Sequence, residues 1–331
     1  MEQERTIDVV LAACNGERYI AEQIASVQRC RGYRRRVRRF IVADDASDDA
    51  TCRLVRRLAA ADDKIILLEY RCRVGCVANF SRAVAVSTAP YVMLCDQDDV
   101  WLEDKIELAV ARLAQMERCH GRLKPLLVFA DMQVVDAALR PLQQSFWRCQ
   151  KLSPQWADCF ARLLVQNVAA GCTMLVNRPL LDLALPFPAA AVMHDWWLML
   201  VARAFGSVGW NAGQVSLYRQ HGGNQVGVVA DSRTPAALIT RLSNARRNLY
   251  RLSAQAREFA RRYRGCRSLL SSADTDALSA MSQLPLMPLR CRWRAVVNGT
   301  IRKNTLGRNM GLLLIMLLPP TGADRDGDER K

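Results

Sequence analysis

The sequence lacks the features that mark membrane-spanning and exported proteins. None of its apolar stretches approaches the roughly 20 residues that a spanning helix needs, and the best candidate, residues 312–318, stops at Pro319 and Pro320. The chain begins with a polar segment, and the apolar run at residues 7–14 contains Asp8 and precedes no small-residue cleavage site. A secretory signal is therefore not expected, and we predict a cytoplasmic protein.

The sequence also lacks the spacings of zinc sites and disulfide scaffolds. It has 12 Cys but no Cys-x-x-Cys, and it has three His. We interpret the cysteines as reduced and mostly buried small hydrophobes. A Walker A or Gly-x-Gly-x-x-Gly phosphate loop is missing as well, so any bound phosphate must be recognised by other means.

Positive charge is what the sequence has in excess. Its 47 Lys+Arg against 32 Asp+Glu give a formal net charge of +15, which favours nucleic acid, anionic lipid or a phosphorylated small molecule as partner. The charge is concentrated at residues 29–39, with seven Arg and no acid, and at residues 241–267, with nine Arg and one acid. The first segment has few interleaved aromatics and no nucleic-acid motif occurs, so no nucleic-acid partner is expected.

The first part of the chain alternates short apolar runs with helical periodicity. The alternation predicts right-handed βαβ units and a mainly parallel sheet. Ser47 fits the N-cap of a helix that continues through Leu54 and Leu58. The predicted strands lie at residues 7–13, 40–43, 65–68, 91–95, 126–130 and 171–176, and a later helix is predicted at residues 196–205.

Polar side chains follow several of these predicted strands at the point where each strand ends. They occur at residues 14–17, 44–45 and 96–99, and the carboxyl ends of parallel strands meet at one edge of a sheet. Asp96 and Asp98 alternate along the chain, so both carboxylates can face one divalent cation or one ribose. The alternative is that Asp99 caps a helix opening at residues 100–101.

Several segments, in this order and spacing, resemble the family-2 glycosyltransferases with a GT-A fold, especially bacterial rhamnosyltransferase-like members. They include Ala43-Asp-Asp-Ala-Ser-Asp-Asp, Cys95-Asp-Gln-Asp-Asp-Val-Trp, His194-Asp-Trp-Trp and Tyr218-Arg-Gln-His-Gly-Gly-Asn. The resemblance implies an α/β GT-A fold, with a Rossmann-like, mainly parallel sheet flanked by helices. The resemblance covers about residues 6–228. We therefore predict a glycosyltransferase domain at residues 1–228, with a nucleotide-sugar half at about 1–130 and an acceptor half at about 131–228. Residues 229–331 lie outside the resemblance and are predicted as a basic helical region with a frayed tail at 324–331.

The resemblance also implies residue roles. Asp195 is implied as the catalytic base, Asp98 and His221 as ligands of Mg²⁺ or Mn²⁺, and Trp196, Trp197 and Arg219 as contacts to acceptor or phosphate; each Trp can instead be a core residue. The residues implied to bind the nucleotide sugar are Ala12, Cys14, Asn15, Glu17, Asp45, Asn79 and Asp96. The sequence departs from the family where Ala13-Cys14 replaces Thr-Tyr, and where Ala46 and Ala50 replace two glycines.

The predicted function is inverting, metal-dependent transfer of a sugar, plausibly rhamnose, from a dTDP- or UDP-sugar to a saccharide or lipid-linked acceptor in surface polysaccharide synthesis. The alternatives are a non-catalytic nucleotide-sugar-binding relative, a nucleotidyltransferase, and a basic nucleic-acid-binding protein. For the basic C-terminal third we weigh peripheral contact with an anionic inner leaflet against arginines that form solvated helix faces.

Overall fold

The computed structural model describes residues 5–222, 235–301 and 306–317. The chain folds as two compact units. The first comprises Met1–Asp158, Val168–Ala189 and Met193–Val228, and the second comprises Cys159–Asn167, Ala190–Val192 and Val229–Lys331. The second unit thus takes two short segments that the sequence analysis had assigned to the first. The predicted frayed tail at 324–331 lies outside the described residues.

The described part of the first unit contains a nine-stranded sheet in the order β3-β2-β1-β4-β8-β6-β9-β5, with β7 paired to β6. The strands are β1 (Ile7–Ala13), β2 (Val37–Asp45), β3 (Ile65–Tyr70), β4 (Tyr91–Asp96), β5 (Val100–Trp101), β6 (Leu126–Val135), β7 (Pro141–Gln143), β8 (Leu175–Asn177) and β9 (Ser207–Arg219). Strands β3, β2, β1 and β4 are parallel, as predicted. Beyond β4 the sheet is mixed, because β8 runs antiparallel to both β4 and β6.

Helices connect the strands of the first unit. They are α1 (Ile20–Arg29), α2 (Tyr33–Arg36), α3 (Thr51–Ala59), α4 (Cys76–Val86), α5 (Lys105–His120), α6 (Phe146–Gln150), α8 (Arg178–Ala184) and α9 (His194–Phe205). Helix α1 forms because Ile20, Ile24 and Val27 recur on one face, and all three are fully buried against the sheet.

Four local predictions were wrong in detail. Ser47 does not cap α3, which begins at Thr51, because the Ser47 hydroxyl is used within the preceding loop. Residues 100–101 form strand β5 rather than a helix start, since they pair with β9. The strand predicted at 171–176 is a 3-10 turn, Gly171–Thr173, followed by β8. The cysteines are all free, but only Cys30, Cys95 and Cys172 are buried.

Four of the seven arginines at residues 29–39 form ion pairs within the first unit. Arg31 lies 2.8 Å from Asp104, and Arg35 and Arg36 both contact Glu107 on α5, at 2.8 and 3.0 Å. Farther along, the Arg38 guanidinium binds the buried Asp8 carboxylate at 2.8 Å. These arginines therefore tie α2 and β2 to neighbouring elements rather than form an unpaired cationic surface.

The second unit is helical where it is described. It comprises α7 (Phe160–Leu163), α10 (Pro235–Arg262), α11 (Ser272–Gln283), α12 (Leu289–Val297) and α13 (Leu306–Leu317). Its core includes Phe160, whose ring centroid lies 5.4 Å from that of Phe259 on α10. In the described parts of the chain, no helix combines the length and apolar character that crossing a membrane requires.

Candidate active site

Three parallel strands end side by side at one edge of the sheet. Ala12, near the end of β1, is in register with Ala43 of β2 and with Asp96 at the end of β4. The polar segments that follow these strands are thereby brought together, as the alternation of strands and helices predicted. Ala12 itself is half-buried at this edge.

Side chains fasten the loop after β1 to the loop after β2. The Asn15 N–H donates to the Ser47 hydroxyl at 2.8 Å. The Glu17 N–H donates to Asp49 at 3.0 Å, and the Glu17 carboxylate accepts from the Ala50 N–H at 2.9 Å. Asn15 and Glu17 are exposed and have a defined role in joining the loops, while their contact with a nucleotide stays a prediction.

Gln97, the middle residue of the Asp-x-Asp segment, holds the backbone of Cys14. Its Oε1 accepts from the Cys14 N–H at 2.9 Å, and its Nε2 donates to the Cys14 carbonyl at 3.1 Å. The Cys14 side chain is half-buried, with Sγ 3.7 Å from the Asp45 carbonyl oxygen. Burial raises the pKa of this thiol, so it stays protonated at neutral pH.

Asp45 and Asn79 are buried next to the start of α4. The two carboxylate oxygens of Asp45 accept from the Val74 and Gly75 N–H groups, at 2.8 and 2.7 Å. The Asn79 amide donates to the Ala43 carbonyl at 2.8 Å, and its buried Oδ1 has no hydrogen-bond partner among the described residues. Asp45 thus already binds two backbone donors, and its predicted contact with the nucleotide sugar would be an additional one.

The carboxylates at the end of β4 form a cluster with a buried thiol. One ligand atom each from Asp96, Asp99 and Cys172 lies within 4.8 Å of the others. Desolvation and the charges of Asp99 and Asp98 raise the pKa of Asp96 well above its usual range. Burial, followed by the charge of Asp98, raises the pKa of Asp99 to about 7, and among the described residues its Oδ2 has no hydrogen-bond partner.

The carboxylates of this cluster fit a hard divalent cation, whereas the Cys172 thiol, whose pKa burial raises well above its usual value, is not a ligand that Mg²⁺ or Mn²⁺ prefers. Carboxylate oxygens are the ligands that Mg²⁺ and Mn²⁺ prefer, and an uncompensated cluster of them is costly. The buried Asp99 Oδ2 is an orphaned acceptor that a cation would satisfy. Asp98 lies next to the cluster, and its Oδ2 is 2.9 Å from Nε2 of His221. The two residues predicted as metal ligands, Asp98 and His221, are therefore in contact. The sequence did not predict that Asp99 and Cys172 would lie in the same cluster as Asp96.

Arg219 is buried beside Asp98 and uses its guanidinium within the protein. Nε donates to the Asp98 carbonyl at 2.8 Å, Nη1 to the Ala137 carbonyl at 2.8 Å, and Nη2 to Glu22 at 2.5 Å. The ring of Tyr19 lies 4.5 Å from the guanidinium carbon. These contacts make Arg219 a positioning residue for Asp98, and its contact with phosphate stays a prediction.

Asp195 lies in the first turn of α9 and is oriented by backbone donors. One carboxylate oxygen accepts from the Gly171 N–H at 2.9 Å, and the other from the Trp196 N–H at 2.5 Å. Burial outweighs these bonds and raises the pKa of Asp195 to about 6. A carboxyl of this kind is suited to accept a proton near neutral pH.

The residues around Asp195 are packed rather than open. Trp197 is fully buried and donates from Nε1 to the Ala184 carbonyl at 3.1 Å, so it is a core residue; Trp196 is also buried. His194 stacks on Phe80 with ring centroids 3.8 Å apart. Burial lowers the pKa of His194 to about 3, so its imidazole is neutral at physiological pH.

Comparison with known proteins defines the class. Residues 8–124 match the family described as Glycosyl transferase family 2. The fold is similar to S. aureus TarS 1-349 in complex with UDP-GlcNAc (TM-score 0.54, 13% identity, 97% of this chain and 92% of that chain). It is also similar to mannosyltransferase PcManGT from Pyrobaculum calidifontis in complex with GDP-Man and Mn²⁺ (TM-score 0.52, 15% identity, 96% and 88%). Residues 8–124 of the chain thus match glycosyl transferase family 2, and the chain has the α/β GT-A fold of these structures.

Relatives found by sequence match only part of the chain. An uncharacterized protein of Mycobacterium tuberculosis (strain ATCC 25618 / H37Rv) is 27% identical over 184 residues, 55% of this chain and 49% of that protein. The chain therefore spans about half the length of such relatives. The dTDP-rhamnosyl transferase RfbG of Shigella flexneri is 24% identical over 233 residues, 66% of this chain and 73% of that protein.

Proposed function

We propose that the protein transfers a sugar, with inversion, from a nucleoside-diphosphate donor to a hydroxyl group of an acceptor. The observation that carries the proposal is Asp195. This buried carboxylate is held by the Gly171 and Trp196 N–H groups, and its pKa is raised to about 6 in the same unit as the Asp96–Asp99 cluster. Asp195 can therefore accept a proton although the protein shields it from water.

In the proposed reaction Asp195 takes the proton of the acceptor hydroxyl. The acceptor oxygen forms a bond to the anomeric carbon while the bond from that carbon to the diphosphate oxygen breaks. Asp96, Asp98 and Asp99 would hold Mg²⁺ or Mn²⁺, with His221 beside Asp98. Such an ion, when bound, supplies Lewis-acid stabilisation of the leaving diphosphate.

For the donor we propose a pyrimidine nucleotide sugar, plausibly dTDP-rhamnose. The support is the sequence similarity to a dTDP-rhamnosyl transferase, together with Asp45 at the end of β2, a residue that the family resemblance implies to bind the nucleotide sugar. We propose a saccharide or lipid-linked acceptor, used in the cytoplasm in surface polysaccharide synthesis. A lipid-linked acceptor would require the enzyme to work at a membrane surface.

The test is a screen of dTDP-rhamnose, UDP-GlcNAc and GDP-mannose for release of the nucleoside diphosphate, with Mn²⁺ or with EDTA. We expect turnover of one donor, its loss in EDTA, and losses of about a hundredfold or more in Asp98→Ala and Asp195→Asn. Asp182→Asn, at an exposed carboxylate of α8, is the matched control.

A non-catalytic relative remains the second candidate, because Asp45 is already bound by two backbone donors and the family's two loop glycines are replaced here. It predicts thermal stabilisation by a nucleotide sugar with no turnover of any donor. Full activity of Asp195→Asn would instead contradict the assignment of the base while leaving an enzyme.

A further inference from the structure

Helix α12 of the second unit exposes a row of large apolar side chains. Leu289, Trp293 and Val297 are 47%, 50% and 56% exposed. They recur every four residues, so they lie on one face of the helix. Leu286, just before the helix, is 83% exposed and lengthens the row.

The opposite face of α12 is fixed within the second unit. Ala295 and Val296 are buried there. Arg292 is buried as well, and its guanidinium donates to the Met287 carbonyl at 2.8 Å and to the Pro285 carbonyl at 2.9 Å. The apolar row is therefore presented outward by an anchored helix.

The charged residues of α12 itself are all arginines. Arg290 and Arg294 are exposed, and at 100° per residue they lie along one side of the apolar row. The surrounding sequence contains no acid between Asp276 and Asp324, although it contains six basic residues. These six are Arg290, Arg292, Arg294, Arg302, Lys303 and Arg308.

We propose that the α12 face, defined as Leu289, Trp293 and Val297 with Arg290 and Arg294, docks on an anionic lipid bilayer. A short helix with an apolar face, a tryptophan and flanking arginines is suited to lie in the plane of the membrane interface. The absence of acidic side chains over this stretch of sequence favours an anionic lipid surface over a neutral one. The proposal extends the proposed function, which would use a lipid-linked acceptor, but its test does not need that reaction.

Within the basic C-terminal third, the structure favours α12 over the arginine-rich helix α10 and the apolar run at residues 312–318. In the apolar run at residues 312–318, Leu312 and Ile315 are buried. On α10, Leu252 and Phe259 are buried and Arg261 is paired with Glu258 at 2.7 Å. Among the second-unit side chains whose exposure the structure describes, large apolar and basic residues are exposed side by side on α12.

The test is flotation of the full chain with phosphatidylcholine vesicles that contain or lack phosphatidylglycerol. We expect binding to the anionic vesicles alone, weakened by high salt. Both Leu289→Gln/Trp293→Gln and Arg290→Gln/Arg294→Gln should lower the affinity about tenfold or more. The matched controls are Leu123→Gln, at an exposed leucine of the first unit, and Arg57→Gln/Arg118→Gln, which removes the same charge from exposed positions.

Circular dichroism verifies that the variants are folded, so the result of the flotation test does not depend on the proposed reaction. Equal flotation of the α12 variants and the controls would overturn the proposal. So would equal binding to both kinds of vesicle. Self-association that is abolished by Trp293→Gln, without vesicle binding, would assign the face to a second copy of the chain and would equally overturn it.

Discussion

Buried carboxyl groups dominate the proposed site at the scale of single residues. Asp99 and Asp195 have raised pKa values of about 7 and about 6, because the protein removes water from them and supplies few donors in return. The folded chain therefore binds these protons more tightly than the unfolded chain does. Their contribution to stability is present below the ordinary pKa of Asp and is lost as the pH rises through the raised values.

The pH dependence of activity should reveal the proposed base. Because Asp195 must be ionised to accept a proton, kcat/KM should rise with pH to a half-maximum near pH 6 and then level off. The measurement is initial rate at low donor and acceptor, in the presence of saturating Mn²⁺. A rate that is independent of pH over about pH 5 to 8 would contradict the role of Asp195.

Gly171 packs closely against helix α9, which carries the proposed base Asp195. A Cβ atom at this position would lie 2.7 Å from Nε2 of His194 and 3.3 Å from Cβ of Asp195. We expect Gly171→Ala to displace both side chains and to lower kcat by about tenfold or more, since small misplacements of a catalytic group are costly. Gly213→Ala is the control, because nothing lies within 4 Å of the added atom; equal rates for the two variants would rule out this packing role.

The loop between β2 and α3 contains a residue in an unfavourable backbone conformation. Ala46 has φ 57°, a left-handed conformation that suits glycine, and it stands where the family pattern has glycine. The loop nevertheless keeps its shape, because Ser47 donates to Asp44 at 2.5 Å and accepts from Asn15. These side-chain hydrogen bonds thus stabilise a loop conformation that glycine would adopt without steric strain.

Ala46→Gly should raise the free energy of unfolding by about 1 kcal/mol, because it relieves the left-handed strain. Ala50→Gly is the control in the same loop: φ is −79° there, so the substitution should be neutral or destabilising. Urea denaturation at equilibrium measures both. A loss of stability in Ala46→Gly would show that the backbone strain is compensated elsewhere.

Prediction from sequence succeeded for elements with local periodicity and failed for contacts between distant segments. Strands β1 to β4 and the edge that joins Ala12 to Asp96 follow from apolar runs and their polar ends. Cys172 could not be placed beside Asp99, because β8 is short and joins β4 in antiparallel orientation. The pairing of Arg36 with Glu107 was also hidden, since it joins residues that are distant in the sequence.

At the scale of the whole molecule, the division into two units determines where the chain can be shortened without exposing apolar side chains. The sequence analysis predicts a domain that ends at residue 228. In the structure, residues 159–167 belong to the second unit. Phe160 and Leu163 are fully buried there. A chain that ends at residue 228 would therefore expose the apolar side of α7.

We expect the 1–228 chain to aggregate, whereas the full chain should elute as a discrete species in size-exclusion chromatography. Phe160→Ser/Leu163→Ser in the shortened chain should recover soluble protein, because it removes the uncovered apolar surface. A soluble 1–228 chain without these substitutions would show that α7 finds other partners.

Gln97, the middle residue of the Asp-x-Asp segment, also holds the loop that follows β1 in place. The Gln97 side-chain amide binds the backbone N–H and carbonyl of Cys14, just beyond the last residues of β4 and β1. It thereby takes the place that a backbone amide would have if the pairing of the two strands continued. A Cβ at Gly16 would come within 2.4 Å of Oε1 of Gln97, so the loop closes tightly over this amide. In the proposed enzyme the donor would therefore meet a preassembled surface, and little of its binding free energy would be consumed in ordering these loops.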